Sequence, residues 1–261
     1  MAQSLCYSAK GIMKRIFFTD RITKWSFAFA ASVVFYLGIP EAQKVNISDL
    51  IHSHIIRYFH LSKPIIGEDD GNRFAPDLSS VDKETVYYFN KIVRYSESRP
   101  FKEGPVYRWN SNIKIYLHGK PSKANRREVV KVIIELNRLV YPLKIQLVQR
   151  PADANSFVYF GSIAGYNRSS FSDVQLPNLY FGHFHIKTYK HEIQKAHVFI
   201  NTKETSSLRQ KHIIREEIVQ SLGLINDTYD FKESIFYQGY SEVSAFSRLD
   251  EAVIKLLYQA R

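Results

Sequence analysis

The stretch Arg215-Glu216-Glu217-Ile218-Val219-Gln220-Ser221-Leu222-Gly223-Leu224-Ile225-Asn226-Asp227 constrains the fold of this 261-residue chain more than any other. Its pattern is E-E-x-x-Q-x-L-G-L-x-N-D. Residues four apart on an α-helix lie nearly one above the other, so Glu216 and Gln220 present their side chains to a common point. Glu217 sits about a third of a turn round. Gly223 can take the left-handed conformation that ends a helix, after which the chain folds back and Asn226 can reach the same site. The window also reads as an ordinary amphipathic helix over 205–224. Ile213, Ile214, Ile218, Leu222 and Leu224 are then inside, Gly223 is the stop and Asn226-Asp227 a polar turn. On that reading Glu216 pairs with His212 one turn earlier.

The segments before and after the window set its context. Asn112 to Leu117 alternates as a strand, and Ser122 to Tyr141 is a helix capped by Ser122, with Val129, Val132, Ile133, Leu136 and Val140 on one face. Leu143 to Gln149, Phe157 to Phe160, Asn178 to Lys187 and His197 to Asn201 read as further strands. After the window come Ser234-Ile235-Phe236-Tyr237, with Phe236 ten residues beyond Asn226, and a last helix from about Ser244 to Tyr258. Upstream, Asn46 to Leu61 and Asp82 to Glu97 have helical periodicity, the second with Tyr88, Ile92 and Tyr95 inward. A polar linker around 63–80, with Gly67, Gly71 and Pro76, is expected to be mobile.

Metzincin metallopeptidases carry H-E-x-x-H-x-x-G-x-x-H and then a Met-containing turn, and the window resembles that frame without a gap. Glu216, Gln220 and Asn226 fall at the three histidine positions, Glu217 at the catalytic glutamate, Gly223 at the glycine and Phe236 at the turn methionine. Strand, helix, several strands, motif helix, turn and final helix is also the order of a zincin core. Arg108-Trp109, Asp153-x-Asn155, the window itself, Ser234-Ile235-Phe236 and Leu256-Leu257-Tyr258 together resemble one bacterial family of exported domains of unknown function, similar to metzincins, over about residues 83–261. The resemblance implies an α+β, zincin-like domain with a mixed twisted sheet, a motif helix and a C-terminal helix, preceded by helical segments. It implies no established activity. A zincin needs neutral imidazoles to hold zinc and polarise its water. One carboxylate and two carboxamides suit calcium, magnesium or manganese better, and weakly, so no cofactor is expected.

Residues 1–24 are basic and Trp25 to Ile39 is an apolar run of fifteen residues, closed by Pro40-Glu41-Ala42. That length fits a secretory signal and is short for a membrane span of roughly 20. Residues 1–42 therefore read as a signal peptide or anchor, starting at Met1 or Met13, and 43–105 as a helical preamble and linker to a domain over 106–261. The protein is expected to be exported, to the periplasm, the exterior or an inner-membrane anchor. Cys6 is the only cysteine, which excludes internal disulfides and cysteine metal sites. The net charge of +11 is spread along the chain as a solvated surface. Lys120, Lys123, Arg126, Arg127 and Lys131 crowd one helix start without a phosphate-cradling loop, and no nucleophile elbow is present. Nucleic-acid binding is not expected. His183 and His185, near His191 and His197, read as an edge-strand pair facing solvent; otherwise they supply a replacement ligand or touch a peptide.

Three functions fit. The first is a zinc-less, peptidase-like binding protein whose cleft, between the fourth strand and the motif helix, takes an extended peptide or cell-envelope component. Gly223, Phe236 and Tyr237 then shape the turn and cleft. The second is an atypical hydrolase with Glu217 as general base, Glu216, Gln220 and Asn226 holding a hard cation or orienting water. The third is a scaffold in which His212 and Arg215 satisfy Glu216 and Glu217.

Overall fold

Alternating apolar residues meet at Ile113, Ile115, Val158, Phe160, Val198 and Ile200, and these line one face of a five-stranded sheet. The computed structural model describes residues 76–94, 104–170, 174–176 and 180–259. The leader, the helix expected over 46–61, most of the linker and Tyr95 lie outside them. In chain order the elements are α1 (Lys83–Phe89), running into a π-helical turn at Asn90–Arg94, β1 (Ile113–Gly119), α2 (Lys123–Leu136) and β2 (Ile145–Leu147). Then come β3 (Ser156–Gly161), α3 (Ile163–Asn167), β4 (Gly182–Tyr189), β5 (Glu192–Asn201), α4 (Ser207–Gln220) and α5 (Arg248–Tyr258). The strand order is β2-β1-β3-β5-β4. The first four are parallel to their neighbours, and β4 runs antiparallel to β5 at the edge. The fold is α+β with a mixed sheet. Among the described residues no helix is long and apolar enough to cross a membrane.

α2 and α4 pack together, and α4 also packs on β4 and β5. The predicted inward residues of α2 and of the motif helix are all buried in this core. Several boundaries differ from the periodicity, for local reasons. Hydrogen bonding ends α2 at Leu136: the Asn137 side chain donates to Ile145 O (2.9 Å) and accepts from Ile145 N (2.8 Å), so it closes the helix and starts β2. β2 itself spans only Ile145–Leu147 of the expected 143–149. α4 begins at Ser207 because the Ser206 hydroxyl accepts from Arg209 N (3.2 Å). α5 begins at Arg248 because Ser247 and Asp250 form a reciprocal capping box. β5 extends back to Glu192, since Lys190 and His191 both take positive φ (48° and 65°) and close a tight two-residue hairpin with β4. The helix α3 went unread because five residues carry too little periodicity.

On the opposite face of the sheet, Phe199 packs with Ile163, Tyr166, Leu176 and Tyr180 in a smaller cluster. Burial beside that cluster overturns the expectation of a solvent-facing pair for His183, while His185 is half-buried. His183 is only 1% exposed, its ring 5.4 Å from that of Tyr180. His197 is also buried, stacked on Phe157 at 5.3 Å.

Candidate functional site

The motif helix ends where its last carbonyls need partners, and two distant sequence motifs supply them. Trp109 donates its indole N–H to Ser221 O (3.0 Å), and the Tyr258 hydroxyl donates to Leu222 O (2.6 Å). Gly223 follows at φ +114°, where a Cβ would collide with the Tyr107 carbonyl. The Arg108-Trp109 and Leu256-Leu257-Tyr258 motifs thus hold the C-terminus of α4. Asn155 does similar work at the sheet, accepting from Lys114 N (2.7 Å) and donating to Asn112 O (2.9 Å). After the helix, Thr228 N donates to Phe236 O (2.9 Å) and Phe236 is fully buried, while Tyr237 lies half-buried against Tyr229.

The four residues expected around the site are engaged as follows. Glu216 lies 3.4 Å from His212 Nε2, the pairing of the plain helical reading. The His212 Nδ1–H donates to Val243 O (2.8 Å). Burial pushes the His212 pKa down, but the Glu216 carboxylate and these hydrogen bonds outweigh it and leave the pKa raised. Gln220 donates to Asp227 Oδ1 (2.6 Å). Asn226 turns away: its side chain donates to Lys91 O (3.4 Å) and its backbone to Ile92 O (3.1 Å). The residue that folds back onto the helix is therefore Asp227, one position later. Arg215 faces α2, where it pairs with Glu128 and Glu135, and leaves the Glu216–Glu217 pair to other neighbours.

Glu217 is 5% exposed, and its Oε2 has no hydrogen-bond partner among the described residues. Burial raises its pKa well above the usual carboxylate range, helped by the negative charges of Glu216 and Asp227. Its carboxyl lies against Gly182, the first residue of β4, where a Cβ would collide with Glu217 Oε1 and Ile213 Cγ2. Tyr180 stands nearby, its phenol pKa raised by burial and by the Glu217 charge. Since Gly182 faces α4, His183 and His185 face the other side of the sheet and are no substitute ligands beside Glu217.

A testable consequence concerns pH. A carboxyl whose pKa is higher folded than unfolded favours the fold below its unfolded pKa, near 4.5, and loses that contribution as pH rises through the folded value. Glu217→Gln does not titrate. It is expected to gain stability over the wild type by about 1.4 kcal/mol per pH unit within that window. Urea unfolding of both proteins from pH 4 to 8 tests this, and parallel curves would refute it.

The edge of β4 completes the site. Asn201 N donates to Phe181 O (2.8 Å), so this pair hydrogen-bonds inward, and alternation turns the backbone groups of Gly182, Phe184 and Ile186 outward. β4 stands last in the sheet, with its outward edge beginning directly over Glu217. Sequence reasoning missed Gly182, Asp227 and Tyr180, because their roles depend on contacts across elements. The closing Asn-Asp of the motif was the one local signal for Asp227.

The residues at the three metal-ligand positions do not fit a zinc ion. They carry no imidazole, and each is bonded to a different partner. Among the described residues no group of three or more His, Cys, Asp and Glu side chains could hold a metal. The family described as "Protein of unknown function (DUF2927)" matches residues 82–261, more than two thirds of the chain, and the chain belongs to it. No curated protein matches the chain in sequence. Among solved structures, two of myroilysin are similar. One, at 11% identity and TM-score 0.41, matches over 59% of this chain and 86% of its own. The other, at 13% identity and TM-score 0.37, matches over 59% and 96%.

Proposed function

We propose that this member of a family of unknown function is an exported, zinc-less binding protein on a zincin-like scaffold. It takes an extended peptide of the bacterial cell envelope along the outer edge of β4. The observation that carries this reading is the outward row of Gly182, Phe184 and Ile186 backbone groups, which can pair with an added strand. Support also comes from the motif helix: the positions that hold a metal in metzincins are spent here on structural hydrogen bonds. The basic, apolar leader supports export, and no cofactor is required.

Hydrogen exchange tests the reading. Titration with extended, proline-free heptapeptides is expected to slow exchange of the Gly182, Phe184 and Ile186 amides by about tenfold or more, each retarded by a new backbone hydrogen bond. Binding that protects other segments and leaves these three unchanged would sink the proposal.

The raised pKa of Glu217 favours a second reading, a hydrolase using this carboxyl. A carboxyl whose pKa is raised serves better as general acid than as the general base expected from the motif. Peptide cleavage by the wild type that is lost in Glu217→Ala, together with a stoichiometric metal in protein purified without added metal, would favour the enzyme.

A further inference from the structure

Arg209 sits in the first turn of α4, on the same helical face as Ile213 and Glu217. Its guanidinium is held between two rings, 4.9 Å from the centroid of Phe181 and 4.5 Å from that of Tyr240. Such stacking fixes the plane of the fork while leaving its edge to choose a partner. Nε and Nη1 are both buried, and neither has an acceptor among the described residues. Buried donors of a charged group without an acceptor are rare in folded proteins. The charged and titratable groups nearby do not fill the role. Glu242 accepts instead from the Tyr240 hydroxyl (2.8 Å), and His212 bonds to Val243 O and Glu216. The Glu242 hydrogen bond raises the Tyr240 phenol's pKa, opposed by the Arg209 charge and by a hydrogen bond from Arg209, which leaves Nε and Nη1 still without an acceptor among the described residues. Tyr240 is 56% exposed, so one wall of the stack is a surface side chain.

Phe181 precedes β4 directly, which places Arg209 at the end of the outward edge where β4 begins. A strand added antiparallel to β4 finishes there with its C-terminus. We propose that Arg209, stacked between Phe181 and Tyr240, is a carboxylate-binding site that captures the C-terminal end of a peptide lying antiparallel along β4. This rests on the peptide-binding reading and adds a polarity and a terminal group to it. A carboxylate accepts charge-assisted hydrogen bonds from such guanidinium donors, and Tyr240 forms one wall of the site.

The test uses the full chain and a fluorescein-labelled hexapeptide, (Thr-Val)3, in three forms: free C-terminal carboxylate, C-terminal amide, and amide with glutamate as the last residue. Wild type is expected to bind the free acid about tenfold to a hundredfold more tightly than the amide. In Arg209→Ala the two should bind equally, and Arg209→Lys should recover only part of the preference because it lacks the fork. If the glutamate form matches the free acid, the carboxylate site stands and accepts a side chain as readily as a terminus. Equal binding of all three forms by wild type would overturn the carboxylate site while leaving peptide binding intact.

A second probe separates the two ideas. Benzoate should raise the Tm of wild type and leave that of Arg209→Ala unchanged. If it does so while no peptide binds, the anion site survives and the peptide reading falls. If neither benzoate nor any peptide has an effect, both are overturned. Circular dichroism and a Tm for Arg209→Ala within a few degrees of wild type, without added anion, show that the variant folds.

Discussion

Replacing Arg215 with alanine is expected to destabilise the protein by about 3–5 kcal/mol. The side chain is 0% exposed and joins α4 to α2 through Glu128 (Nη2 to Oε1, 3.0 Å) and Glu135, with its guanidinium carbon 4.5 Å from the Phe246 ring. The pair is buried, so its net contribution over an apolar contact is small, but breaking it on one side is costly. Removing Arg215 strands the Glu128 carboxylate, 8% exposed, without the cation it pairs with. It also opens a cavity beside Phe246. Against a total stability of about 5–15 kcal/mol, the loss should be plain in urea unfolding. Arg215→Met/Glu128→Leu should lose less than Arg215→Met alone, because the double variant leaves no unpaired buried charge. If Arg215→Ala costs under about 1 kcal/mol, the pair is not what holds α2 against α4.

Asp250→Ala is expected to cost about 3–4 kcal/mol, from loss of several buried acceptor contacts at once. Asp250 is fully buried at the start of α5. Its Oδ1 accepts from the Ser234 hydroxyl (2.7 Å) and from Tyr88 (3.2 Å), and its Oδ2 from Ile235 N (3.1 Å) and Ser247 N (2.8 Å). Ser234 in turn accepts from Phe236 N (2.8 Å) and bonds to Tyr88. One carboxylate therefore ties the turn after the motif helix to α1 and α5 together. Its removal leaves the buried Ile235 N–H and the half-buried Ser247 N–H without this acceptor and undoes the capping box of α5. Ser234→Ala keeps the carboxylate and should cost only about 1–2 kcal/mol. Thermal unfolding of the two variants checks the order, and a Ser234→Ala effect equal to that of Asp250→Ala would show that the hydroxyl alone anchors the turn.

These two networks mark the limit of what the chain's order of residues could disclose. Periodicity located the inward faces of α2 and of the motif helix and every strand, because burial on one face repeats locally every 3.6 or 2 residues; the family's motifs were legible only through resemblance. Hydroxyl caps were legible at Ser122 for the same reason. Spacing also predicted the Glu216–His212 pair, since both residues ride on one helix.

Which way each polar side chain turned was decided only by the tertiary structure. Arg215 and Glu216 are adjacent in sequence, yet about 100° apart round the helix, so one meets α2 and the other stays beside His212. Asn226 and Asp227 are adjacent in a turn, where no periodicity constrains direction. Carbonyls left open by Lys91 and Ile92 claimed Asn226, and Gln220 took Asp227. Glu217 stays on the motif helix, but its burial, which raises its pKa, depends on Gly182, where a Cβ would meet its carboxyl. A residue's type and its neighbours on one helix are local facts. The partner that a buried polar group finally meets depends on which element is folded against it, and that depends on the packing of the whole chain.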